Sequence, residues 1–140
     1  HSQYLIANSR LPGFTESERL LMGQIARFHR KGLPAEDHEE LAELAAPEVK
    51  RLRFLAACVR LAAALDRTRQ GLIEDVEVAL DAAATKDKAL TLTLTLSQPH
   101  TKAEVELHKA KLEQSALEKS WGTSLKFELR GAAPSQGGAK

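Results

Sequence analysis

This 140-residue chain is short of disulfide-forming cysteine, long apolar runs and net charge. Its one cysteine, Cys58, lies in an apolar helical pattern, so no internal disulfide can form and a buried, inert thiol is expected. A reducing compartment, the cytoplasm, is the natural expectation. No apolar stretch approaches the roughly 20 residues a membrane-spanning helix needs, and no signal peptide opens the chain. No membrane partner is expected. The formal net charge of +1 argues against a general nucleic-acid binder, which is usually strongly basic, while leaving room for local basic patches. No glycine-rich phosphate loop, nucleophile elbow or paired metal motif is present. The chain opens on His1 rather than methionine, with Gln3 to Ala7 already patterned, which implies a segment of a longer protein. An active site built upstream would then lie outside it.

What is present begins with a strong helical signal. Thr15 with Glu18 three residues on has the form of a capping box, and Gly32 followed by Pro34 is a stop. Between them Leu21, Ile25 and Phe28 form an inward stripe, with Met22, Ala26 and His29 beside it. Phe14 is placed as a hydrophobic staple. His29 falls at the stripe's edge, among Arg27, Arg30 and Lys31, at a helix C-terminus that favours cations. Two readings stay open there: a half-buried histidine with solvated arginines, or a phosphate contact. Residues 34–46 are acidic and alanine-rich and read as a short helix containing an exposed His38.

From Pro47, suited to a first helical position, the pattern predicts a core helix running to Gln70. Leu52, Leu55, Val59 and Ala62 make one apolar row, flanked by Phe54, Cys58, Leu61 and Leu65. Lys50, Arg53, Arg60 and Arg67 align on the remaining face. Such rows are usually solvated. Yet basic residues up to Gln70 are arginine except Lys31 and Lys50, whereas beyond it they are lysine except Arg130, and arginine's planar fork suits phosphate oxygens.

At Gly71 the period changes from helical to alternating, which sets a boundary between lobes at 1–70 and 71–130. Val76, Val78 and Leu80, then Leu90 to Leu96, then Leu125, Phe127 and Leu129 each alternate with polar or small residues, predicting three half-buried strands. The first two form a hairpin across Thr85 to Lys88. Thr101 with Glu104 reads as a second capping box, opening a helix to about Ser120 that Gly122 stops. Ala103, Leu107, Ala110, Leu117 and Trp121 should face the sheet. A second stripe, Val105, Leu112 and Ala116, would meet the helical lobe or another subunit. His100 and His108 join no ligand cluster. Residues 131–140, GAAPSQGGAK, read as a disordered tail. The expected class is mainly α with a small β-β-α-β lobe.

The segments HSQYLIANSRLPGFTESE, IARFHRKGLP and RLAAALDRTRQ, with a weaker EKSWGTSLKFEL, resemble the C-terminal part of the exopolyphosphatase/guanosine pentaphosphate phosphohydrolase (Ppx/GppA) family. That resemblance implies an HD-like helical domain followed by a small α/β domain. It implies upstream actin-like domains, Mg²⁺-dependent, that release terminal phosphate from inorganic polyphosphate or guanosine pentaphosphate. For this segment it implies polyphosphate binding and homodimer formation, with no cofactor and no catalysis of its own. Carried over by position, His1, His29, Arg30 and Lys31 match the family's HS and YHRK segments, with Phe28 in place of tyrosine, and Arg67 and Arg69 match DRSR. Arg53 and Arg60 complete the polyphosphate-binding set read from the arginine row. The His-acidic pair that names HD domains would lie before His1, and LAAALD puts Ala63 where the family often has aspartate, so no metal site is expected. Two other readings compete: a free-standing HD-type phosphohydrolase with a metal held by His1, His29 and Asp66, and a purely structural oligomerisation domain.

Overall fold

A computed structural model of the chain describes residues 1–31, 41–42, 44–81, 89–99 and 102–131, the side chain of Lys31 excepted. The chain divides into two units, His1–Arg60 and Leu61–Lys140. The division falls inside the third helix.

In the first unit α1 (Ser2–Ala7) packs on α2 (Glu16–Lys31). The expected capping box is formed. Thr15 N–H donates to the Glu18 carboxylate at 2.8 Å, and Glu18 N–H donates to the Thr15 hydroxyl at 3.2 Å, which satisfies two amides with no helical acceptor. Phe14 is half-exposed. Where α1 crosses α2, a Cβ on Gly23 would stand 3.3 Å from the Gln3 carbonyl oxygen. Glycine there permits the close approach.

Helix α3 (Ala46–Leu65) opens one residue before the expected Pro47, which takes the second position of the first turn. Glu48 closes that turn by accepting from Ala45 N–H at 3.2 Å, and it also accepts from the Ser17 hydroxyl at 3.3 Å. Phe28, Leu41, Leu52 and Ala56 are the buried core, with Leu21, Ile25, Leu44 and Val49 packed on it. The inward stripe of α2 is as its spacing predicts. On α3 the buried row runs through Leu52, Ala56 and Ala57, whereas Phe54, Val59 and Ala62 face outward. Leu61 and Leu65 are buried as expected and Leu55 and Cys58 are half-buried, so Phe54 and Val59 are the larger residues displaced outward. Burial of Leu52 contributes about 2 kcal/mol. Gly32, Pro34, His38 and most of the acidic stretch lie outside the described residues.

In the second unit the three strands β1 (Ile73–Asp81), β2 (Ala89–Leu96) and β3 (Ser124–Arg130) form one sheet in that order. β1 and β2 are antiparallel, as a hairpin requires, and the tip expected at Thr85 to Lys88 lies outside the described residues. β2 and β3 are parallel, so the chain must cross over between them, and α4 (Glu104–Trp121) is that crossover. Gln114 ties it to the sheet by donating to the Leu125 carbonyl at 2.8 Å. Gly122, left-handed at φ 65°, ends α4 as its position predicts, with its N–H on the Glu118 carbonyl at 2.8 Å. At the other end the helix starts at Glu104 with Ala103 as N-cap and no side-chain cap, while Thr101 lies outside the described residues.

Leu92, Leu94 and Leu96 of β2 and Leu125 of β3 are buried, as are Ala103 at the N-cap of α4 and Ala110 and Leu117 within it. The strand expectation needs one correction. Val76, Val78 and Leu80 pair with Leu94, Leu92 and Leu90, so they share the leucine side of the sheet, yet all three are exposed, Val78 at 62%. β1 is an edge strand with an uncovered apolar row. On α4 Val105 and Leu112 of the expected second stripe are likewise exposed, and Ala116 is half-buried. The architecture is mainly α with a small α/β lobe.

Candidate functional site

The arginines expected to form one stripe are divided between two settings. In the first unit they make internal contacts. Arg60 on α3 donates from Nη1 to the carbonyl oxygen of His29 at 3.4 Å, supplying a cation and a donor to the C-terminal turn of α2, where carbonyls lack helical partners. Arg27 turns toward α1, with Nη1 3.5 Å from Gln3 Oε1 and its guanidinium 5.7 Å from the centre of the Phe28 ring. Arg53 is half-buried.

His29, also half-buried, has Nδ1 2.6 Å from the Ala26 carbonyl oxygen, so Nδ1 carries the proton and donates. In the neutral ring that leaves Nε2 as an acceptor. Arg30 is exposed at the helix end, and His1 is an exposed N-cap on α1. His29, Arg30 and Arg60 are thus gathered at the exit of α2. Lys31 belongs to the same turn, but its side chain lies outside the described part.

In the second unit Arg67 and Arg69 are both exposed and neither is helical. The helix expected to reach Gln70 ends at Leu65, and residues 66–68 form a turn. Asp66 N–H still bonds the Ala62 carbonyl at 3.2 Å, and Arg69 N–H returns to the Asp66 carbonyl at 3.1 Å. Between them Thr68 N–H donates to the carboxylate of Glu106 on α4 at 2.9 Å, and the Thr68 hydroxyl donates to the same oxygen. Arg69 has φ 56°, a left-handed conformation that costs a non-glycine residue about 1–2 kcal/mol. A carboxylate 38 residues away takes the amide that would have continued the helix. The row of four cations is therefore broken at Arg67.

Glu106 is not among the expected site residues, although a signal for it exists. It falls in the buried row of α4, between Ala103 and Ala110, and is 1% exposed. Burial pushes its carboxyl up, but the Thr68 hydroxyl, the Thr68 amide and its own amide, all donating to the charged form, together hold it below the ordinary carboxylate range.

Among the described residues no group of three or more His, Cys, Asp or Glu side chains comes together to hold a metal ion. No described helix is long and apolar enough to cross a membrane.

Known sequences place these features in a family. Over 111 residues the chain is 40% identical to guanosine-5'-triphosphate,3'-diphosphate pyrophosphatase of Vibrio vulnificus (strain YJ016), covering 76% of this chain and 20% of that protein. It thus spans about a fifth of that relative's length. Residues 1–119 match the family described as Ppx/GppA phosphatase, domain III. The arginine turn and the capped α2 both lie inside that match, and the chain belongs to the Ppx/GppA phosphatase family.

Proposed function

We propose that this segment is the polyphosphate-holding and dimerisation module of an exopolyphosphatase-type hydrolase whose upstream actin-like domains, using Mg²⁺, release terminal phosphate from inorganic polyphosphate or guanosine pentaphosphate in the cytoplasm. The observation that carries it is the exposure of Arg67 and Arg69 on a turn whose backbone is tied at Thr68. Arg30, at the end of α2, is separately exposed. Polyphosphate carries roughly one charge per phosphate, so arginine contacts gain affinity largely by releasing condensed counterions, as on nucleic-acid backbones. A long polymer can engage several such contacts at once, whereas orthophosphate can engage one. Holding the chain remote from the cleaved end favours repeated removal of terminal phosphate.

The test is binding of long-chain polyphosphate to this chain as salt is raised, beside orthophosphate and a short oligophosphate. Length-dependent binding whose logarithm falls steeply with salt supports the reading. Absence of binding at low salt leaves the third reading, a purely structural domain. For dimerisation, the supporting feature is the exposed row Val76, Val78 and Leu80 on an edge strand, which a second copy can cover with the same row about a two-fold axis. Sedimentation equilibrium of the chain should give twice the monomer mass, and Val78→Lys should return it to monomer.

A further inference from the structure

A carboxylate occupies a buried position of α4 whose neighbours in the row, Ala103, Ala110 and Leu117, are apolar. Its Oε1 takes both Thr68 bonds, and its Oε2 has no hydrogen-bond partner among the described residues. An apolar side chain of the same volume would avoid desolvating a charge. What an apolar side chain cannot do is accept the Thr68 amide at the point where helical acceptors run out. That amide lies between two exposed arginines, next to a backbone position held left-handed at Arg69.

We propose that Glu106 is the positioning residue of the Arg67-Thr68-Arg69 turn, fixing its backbone so that both arginines are presented from an ordered turn to an anionic phosphate chain. The proposal rests on the polyphosphate reading above and adds to it a residue outside the arginine set. Backbone order supplied by the protein spares the complex the entropic cost of fixing the turn on binding. Glu106 touches no ligand and acts only through Thr68.

Glu106→Met is the informative variant, because methionine fits the apolar row and keeps α4 while removing the acceptor. Two measurements on the whole chain separate positioning from folding. Amide hydrogen exchange at residues 67–70 should speed up about tenfold or more in Glu106→Met, with Ala110 and Leu117 in α4 unchanged. Affinity for long-chain polyphosphate should fall roughly tenfold, with helix content by circular dichroism unchanged. Thr68→Val should reproduce part of the loss through the missing hydroxyl, and Thr68→Ser should restore it. Unchanged exchange at 67–70 in Glu106→Met overturns the proposal, as does faster exchange with unaltered affinity. If the unmodified chain itself binds no polyphosphate, the underlying reading fails instead, and the ligand half of the proposal falls with it. Exchange still decides whether Glu106 holds the turn.

Discussion

Arg60 and Arg67 are seven residues apart in one arginine-rich stretch, yet they are used in opposite ways. Arg60, half-buried, donates to the last turn of α2, whereas Arg67 stands exposed on a turn that another residue's carboxylate holds in place. The first serves the fold and the second is available to a ligand. What separates them is where α3 ends, because a helix continuing to Gln70 would have put both on one face. The contrast teaches that a cation row read from spacing is not yet a binding site. Backbone geometry decides which of its members are presented.

The contrast can be broken most forcefully at the turn. Arg67→Ala combined with Arg69→Ala should lower affinity for long-chain polyphosphate by about 10–100-fold at low salt, with little change in melting temperature. Arg60→Ala should do the reverse, costing about 1–2 kcal/mol of stability by removing a charged donor from the His29 carbonyl, and altering affinity less. Denaturant unfolding of the two variants, beside the binding isotherms, checks both claims. A loss of affinity from Arg60→Ala as large as from the double variant would erase the distinction.

A smaller effect sharpens the account of the turn through pH. Glu106 is held below its ordinary range in the folded chain, so the unfolded chain binds more protons in the acid window. Stability from this group is therefore fully present above the ordinary carboxylate pKa and is lost as pH falls through the depressed folded value. Glu106→Gln should flatten the acid limb of stability against pH and leave its slope near neutrality unchanged. Thermal melts across that range measure it.

How much of this was legible in the sequence depends on how local each cause is. The Thr15–Glu18 box, the α2 stripe and the Gly122 stop each depend on residues within a turn of one another, and all three are as read. The succession of three strands and one helix follows from alternation and length, and it too is as read. The end of α3 was not legible: local propensity through Asp66-Arg67-Thr68-Arg69 continues the helical pattern, whereas the Thr68 amide is taken by Glu106, 38 residues away on α4. For the same reason the arginine row reads as continuous. Strand β1 alternates like a half-buried strand, but alternation reports which side is apolar and not whether anything covers it, and Val78 and Leu80 are exposed. The one sequence clue to the turn is the acidic residue within the apolar row of α4.

The central claim is that Arg67 and Arg69 form the presented phosphate contact while Arg60 is structural. The slope of the logarithm of polyphosphate affinity against the logarithm of salt tests it most directly, measured for the unmodified chain, the Arg67→Ala/Arg69→Ala variant and Arg60→Ala. The expected slope is shallower by about 0.7 for each arginine replaced in the double variant, and unchanged in Arg60→Ala. Equal slopes in all three would contradict it.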